Sequence, residues 1–275
     1  MPIEFPVPPP SRGVLRSLVS AESNLNRSIQ RLASGLRINS AADDPAGMAI
    51  STRMRGRVVS IDRAYQNVGD AASLLSTADG GMEATADILI RMRELTVAAA
   101  SDTMSSSDRT AVKTELDQLS AELDRVGNQT TYNGETLLDG SASFTFQIGA
   151  DATATTTVAL DDVRAAALDV EPADLVVSSA SNAGTTLGKI DAALDELNTA
   201  RAKVGARINR LEFTASALSV ESQNLSASAS RIRDADMALE TTRMIRSQLL
   251  QQSAQAMLAH YGNRNDGLLS LIRGS

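Results

Sequence analysis

Apolar residues recur at three- and four-residue spacing along most of this chain, a pattern that predicts long helices separated by short polar interruptions. Leu18, Leu25, Ile29, Leu32 and Leu36 mark one face of a first helix over about residues 11–35, with Arg27, Gln30 and Arg31 turned away. The period resumes at Met54, Val58, Ile61, Tyr65, Val68, Ala72 and Leu75 and continues in a shifted phase through Ile88, Met92, Leu95 and Ala99. This is a second helix, over about 46–100. The Ser-rich "SDTMSSSD" from Ser101 to Asp108 reads as a connection, with Ser107 or Asp108 capping a third helix. That helix carries Val112, Leu116, Leu119, Leu123 and Val126 on one side and ends near Gly127-Asn128.

A strict heptad register runs from Leu187 through Leu194, Val204, Ile208, Leu211, Leu218 and Leu225 to Ile232, broken only by Arg201 and Ser222. A helix of that extent is about 70 Å long at ~1.5 Å per residue. A compact globule of this mass is only about 50 Å across. The expected fold class is therefore mainly α, an elongated coiled-coil bundle. Beyond a polar joint at "RDAD" (Arg233 to Asp236), a last amphipathic stretch carries Ile245, Leu249, Ala256 and Met257 and ends in Leu268, Leu269, Leu271 and Ile272.

The middle of the chain differs. Asn133-Gly134 is a turn signal, and "FTFQI" (Phe144 to Ile148) and "TTTVAL" (Thr155 to Leu160) read as two strands joined through Gly149, a small β-hairpin element within a β-rich insert at about 140–186. "SSASNAGTT" (Ser178 to Thr186) reads as an exposed loop. The two halves thus mirror each other: a short terminal helix, a joint and a long helix on either side of the insert. Neither terminal helix can bury its apolar face alone, so the economical solution pairs the chain's two ends with each other and with neighbouring molecules. Self-assembly is the inference. Left uncovered, the apolar C-terminal end would be an exposed patch.

Composition narrows the chemistry. Hydrophobic residues make up 43% of the chain but aromatics only 3%, the palette of packed helices. The net charge is −7 and the arginines are interspersed with acids, which argues against a nucleic-acid partner. Without cysteine there is no thiolate chemistry, Cys-based metal site or disulfide. No segment approaches the length of a bilayer-spanning helix, and "MPIEFPVPPP" lacks the charged and apolar regions of a secretory signal. "GTTLGKI" (Gly184 to Ile190) is only superficially a phosphate loop. Three rather than four residues precede its Gly-Lys, and Ile190 stands where a hydroxyl would hold magnesium.

The segment "SGLRINSAADDPAGMAI" (Ser34 to Ile50) could be a phosphate loop, a metal site or a turn. Asp43-Asp44 lacks the spaced oxygen donors of a calcium loop. Asp44 as N-cap with Pro45 in the first helical position explains it better. His260 is the only histidine and has no triad or metal-set companions, so a surface or interface role is expected. Methionines at helical spacing read as core or subunit contact. No cofactor, metal or catalytic set is predicted, and the chain is not expected to be an enzyme.

"SIQRLASGLRINSAADDPAGMAI" (Ser28 to Ile50) closely resembles the N-terminal signature of bacterial flagellin, and "RIRDADMALETTRMIRSQLLQQSAQAMLA" (Arg231 to Ala259) resembles its C-terminal counterpart. "RMRELTVAAA" (Arg91 to Ala100) and "LDRVGNQTTYNGETLL" (Leu123 to Leu138) match between them. The resemblance implies an inner terminal-helix domain of residues 1–35 plus 236–275, a spoke of 36–45 and 233–235, and an outer core of 46–232. It implies inter-subunit packing through the apolar positions named above in the terminal helices, from Leu18 to Leu36 and from Leu249 to Ile272. It places Gly35, Asn39, Asp44, Pro45 and Gly47 in the spoke turn. Arg91, Leu95 and Glu115 match contact positions of the innate immune flagellin receptor, although Ile90 replaces the usual Gln.

The implied partners are the chain itself, an export chaperone at the C-terminal segment, and the flagellar junction and cap proteins. The implied location is extracellular, reached through type III export. The brevity of 140–186 resembles a minimal flagellin without the large variable outer domains. The alternatives are a hook-filament junction protein and, more distantly, a cytoplasmic coiled-coil adaptor.

Overall fold

A computed structural model describes residues 9–273, with side chains described over 12–264. The proline-rich start and the side chains of Leu268, Leu269, Leu271 and Ile272 lie outside the described residues. Five helices and four short strands follow in chain order: α1 (Pro9–Ser34), α2 (Pro45–Ala99), α3 (Ser106–Gln129), β1 (Thr131–Tyr132), β2 (Glu135–Thr136), β3 (Ser143–Gln147), β4 (Thr155–Ala159), α4 (Ala180–Arg233) and α5 (Met237–Arg273). Helix α1 opens slightly earlier than the expected Ser11, because prolines in a first turn forfeit no intrahelical bond.

The described residues form two compact units, one of residues 9–56 and 224–273 and the other of 57–223. In the second unit α2 and α4 run antiparallel. The two polar residues that interrupt the α4 heptads both face carboxylates of α2: Arg201 Nε lies 2.9 Å from Asp79 Oδ1, and the Ser222 hydroxyl donates to Asp62 Oδ1 at 2.8 Å. Arg57–Glu221 and Arg93–Asp191 continue the same antiparallel register. Between these polar pins, Ile190, Leu197, Val204, Leu211 and Leu218 are buried every seventh residue, with Ala193 and Ala200 filling the narrower level. On α2, Ile61, Val68, Leu75, Met82 and Leu89 are likewise buried every seventh residue, a single phase along the helix, whereas Tyr65 of the expected face is 51% exposed.

Helix α3 begins at Ser106, nearly two turns before its first buried apolar residue, Val112. Ser105, not Ser107 or Asp108, is its N-cap, and Asp108 closes the capping box from the third helical position. Asn133 and Gly134 both take positive φ, 51° and 86°, so β1 and β2 pair across a two-residue turn of the mirror-image kind that strand twist favours. Strands β3 and β4 pair antiparallel with Phe144 opposite Val158.

The segment after Ala159 is irregular yet buried. Leu160, Val163, Leu168, Val170, Leu175 and Val177 enter the core, and helix side chains satisfy its backbone: Ser120 donates to the Val170 carbonyl, Thr186 to that of Val176, and Asp124 accepts from Ala165 N–H. Helix α4 starts at Ala180, so most of "SSASNAGTT" is helical rather than the expected loop. Ser179 accepts from the Asn182 N–H, as an N-cap does, and Ala183 and Thr186 already point into the core.

Candidate assembly surface

The first unit is built around the joint between α1 and α2. Gly35 leaves α1 with φ +70°, a left-handed value that closes the helix end at little cost for glycine. Its carbonyl accepts from Ala235 N–H at 2.9 Å, and Arg37 N–H donates to the Arg233 carbonyl at 2.7 Å, making a single bridge between Leu36 and Asp234. The two joints of the chain are thereby tied backbone to backbone, and the Arg37 guanidinium adds a bond to the Ile232 carbonyl at 2.6 Å. Ile38 is buried beneath them.

Asp43 then folds the turn, accepting from the N–H groups of Asn39 and Ser40 and from the Ser40 hydroxyl. Those bonds, first the one from Ser40 N–H and then that from Asn39, hold its carboxyl below the usual carboxylate range. Asn39 Nδ2 reaches the carbonyls of Gln30 and Leu36. Asp44 accepts from the Gly47 N–H at 2.9 Å and Pro45 opens α2, so the turn ends in an N-cap. A Cβ on Gly47 would come within 2.4 Å of Asp44 Oδ2 and 2.8 Å of Ile38 Cδ1, which explains glycine there.

From the joint, α1 and α5 run antiparallel and pack along a three-four seam. On α1 it is formed by Val14, Leu18, Ala21, Leu25, Ser28 and Leu32, and on α5 by Glu240, Met244, Ser247, Gln251, Ala254 and Leu258, all buried or half-buried. Glu240 is the polar centre. The Ser28 hydroxyl donates to it at 2.9 Å, Arg243 at 3.1 Å, and Arg31 lies 3.7 Å away.

This seam is not the face that hydrophobicity marks on α5. Ile245, Leu249 and Met257 point away from α1, and Leu249 and Met257 are 58% and 55% exposed. On α1, Leu18, Leu25, Leu32 and Leu36 are half-buried, while Ile29, Leu15 and Val19 are exposed. The α5 side of the seam thus mixes Met244 and Leu258 with small and polar residues, while Ile245, Leu249 and Met257 of the same helix are turned outward.

In the second unit, Arg91 donates to Glu115 at 2.8 Å and to Glu94 at 3.2 Å, which raises the arginine's already high pKa, Glu115 contributing most. Leu95, one turn on, is half-buried. Among the described residues no cluster of three or more His, Cys, Asp or Glu could hold a metal ion, and no helix is long and apolar enough to cross a membrane.

This arrangement has known counterparts. Residues 10–143 match the bacterial flagellin N-terminal helical region and residues 187–272 the bacterial flagellin C-terminal helical region. The chain belongs to the bacterial flagellin family. It is 37% identical to the flagellin of Bacillus subtilis, covering 94% of this chain and 96% of that one. Over the same shares it is 35% identical to the flagellar filament 33 kDa core protein of Treponema phagedenis. The crystal structure of Bacillus cereus flagellin is 29% identical with a TM-score of 0.50, covering 60% of this chain and 94% of that one. A hook-associated protein structure from Vibrio parahaemolyticus, at 15% identity and a TM-score of 0.60 over 70% of this chain and all of that one, shares the fold alone. As a flagellin, the chain is a structural subunit of the flagellar filament, and the junction-protein alternative is not favoured.

Proposed function

We propose that this flagellin builds the filament by burying the outward apolar side chains of α1 and α5 against neighbouring copies. The observation that carries the reading is the inverted α5 face: Ile245, Leu249 and Met257 exposed while Glu240, Ser247 and Gln251 occupy the seam. Exposing large apolar groups is unfavourable by about 25 cal/mol per Å², and polymerisation removes that exposure. Residues 1–35 plus 236–275 form the inner domain, with Leu18, Leu25, Ile29, Leu32, Leu36, Leu249, Met257 and the apolar end from Leu268 to Ile272 as its packing positions. Residues 36–45 and 233–235 form the spoke, with Gly35, Asn39, Asp44, Pro45 and Gly47 setting its turn, and 46–232 form the outer core.

The subunit is non-enzymatic and extracellular once exported. It is accompanied by a chaperone at the C-terminal segment and meets the junction and cap proteins at the filament's ends. The Arg91–Glu115 pair with Leu95 supports recognition of the monomer by the innate immune flagellin receptor. An absent reporter-cell response to the monomer would remove that part alone. The assembly reading is tested by dissociating the chain with heat or acid, returning it to mild conditions with filament seeds and viewing it by negative-stain electron microscopy. Long filaments are expected, and far fewer from Ile245→Ser/Leu249→Ser. Discrete particles under conditions that polymerise a control flagellin would overturn the reading.

A further inference from the structure

Asn133 is the one asparagine in this sequence that precedes a glycine. A glycine nitrogen has no Cβ beside it, so it can approach the side-chain carbonyl carbon of a preceding asparagine and close a five-membered ring. The local backbone decides whether that ring can form. Asn67, Asn128, Asn182, Asn198, Asn209 and Asn224 lie inside α2, α3 and α4, where helical angles hold the next nitrogen away from the side chain. Asn67 is further tied to the Gln147 carbonyl, and Asn182 to the Ser178 hydroxyl.

Asn133 has no such restraint. It and Gly134 are both exposed and make up the whole connection between β1 and β2. Neither its side-chain amide nor the Gly134 N–H has a hydrogen-bond partner among the described residues. Beyond the bond from Leu137 N–H to the Thr130 carbonyl at its base, this hairpin is held shut by the pairs Thr131–Thr136 and Tyr132–Glu135. A ladder that short opens locally at little cost, which lets the Asn133 backbone rotate and bring the Gly134 nitrogen to Cγ.

We propose that Asn133 of the folded chain is a site of spontaneous deamidation. The Gly134 nitrogen gives up its proton to solvent and bonds to Asn133 Cγ, and the side-chain nitrogen leaves as ammonia. Water then opens the succinimide. Cleavage of the new bond at Cγ leaves aspartate, whereas cleavage at the backbone carbonyl carbon leaves isoaspartate, whose main chain runs through Cβ and Cγ. Aspartate tolerates the left-handed φ of 51° and suits the same mirror-image turn before glycine. Isoaspartate lengthens the two-residue connection by one backbone atom, so Tyr132 and Glu135 lose their register. That turn leads directly into Leu137 and Leu138, both fully buried, with Leu138 beside Gly81 of α2.

The test ages the full, unassembled chain in mildly alkaline buffer, which favours loss of the Gly134 proton. Trypsin then releases Asn128 and Asn133 on one peptide, residues 126–164. Tandem mass spectrometry should show ammonia exchanged for water at Asn133 at least about tenfold faster than at Asn128, which precedes Gln129. A protein isoaspartyl methyltransferase should label the aged chain and not fresh Asn133→Asp. In thermal unfolding Asn133→Asp should match the fresh chain, and the isoaspartyl fraction should unfold at lower temperature. Equal rates at the two asparagines, or conversion of Asn133 confined to chain unfolded in urea, would overturn the proposal. An isoaspartyl fraction as stable as the fresh chain would overturn the loss of register. Every readout is taken on unassembled chain and is independent of the filament reading.

Discussion

Gly80 and Gly81 are neighbours in the middle of α2, and the structure assigns opposite signs to the same substitution at the two positions. A Cβ on Gly80 would meet nothing within 4 Å. Replacing it by alanine removes only the helix-interior cost of glycine, so Gly80→Ala should stabilise the second unit by about 1 kcal/mol. A Cβ on Gly81 would lie 2.6 Å from Thr130 Oγ1, 2.7 Å from Leu138 Cδ1 and 2.9 Å from Thr130 Cγ2.

Neither neighbour yields easily. Leu138 is fully buried, and the Thr130 hydroxyl is committed to the Val126 carbonyl at the end of α3. Overpacking of this kind costs about 1–3 kcal/mol, which offsets and then exceeds the same propensity gain. The two variants should therefore differ by about 1–3 kcal/mol, the overpacking term alone, or several degrees in Tm at ~2–4 °C per kcal/mol for a domain of this size. Thermal and urea unfolding of both, followed by circular dichroism, measures the difference. A Gly81→Ala protein as stable as Gly80→Ala would refute the packing of the β2 region against α2.

Other outcomes follow from single contacts. Asp44→Ala removes the cap on the Gly47 N–H and should cost about 1 kcal/mol, read as faster amide exchange in the first turn of α2. Leu211→Ala, at a residue 4% exposed, should cost about 2–5 kcal/mol, whereas Phe213→Ala, at a residue 78% exposed, should stay within ~0.5 kcal/mol in unfolding assays. The bond from Arg164 to Asp162 holds that carboxyl below its ordinary 3.8, so its contribution is complete above that value and fades as pH falls through the lowered one. An acid titration of Arg164→Met should accordingly show a flatter loss of stability below pH 3.8 than the native chain does.

Much of the fold could be read from the chain because apolar periodicity and burial coincide in the second unit. The α4 heptads, the β3–β4 pair and the Asp44-Pro45 helix start each rest on a local signal that the packing then uses. Helix α5 was harder for a physical reason. Besides Met244 and Leu258, its seam takes Glu240, Ser247, Gln251 and Ala254, which hydrophobicity does not mark, while Ile245, Leu249 and Met257, which it does mark, face outward. A pattern rule assumes that a helix buries its most apolar face within its own chain, and in a subunit meant for neighbours that assumption fails. The start of α4 was hidden differently, since Ser, Asn, Gly and Thr look like a loop until Ser179 caps them and Ala183 finds the core.

Because the chain has no cysteine, a single one at position 249 gives the most direct test of the outward α5 face. Leu249→Cys should react readily with a thiol reagent in the unassembled subunit. In seeded filaments of the same variant, labelling should slow by at least about tenfold as neighbouring copies cover the position. Equal labelling in subunit and filament would contradict burial of this face by assembly, the central claim.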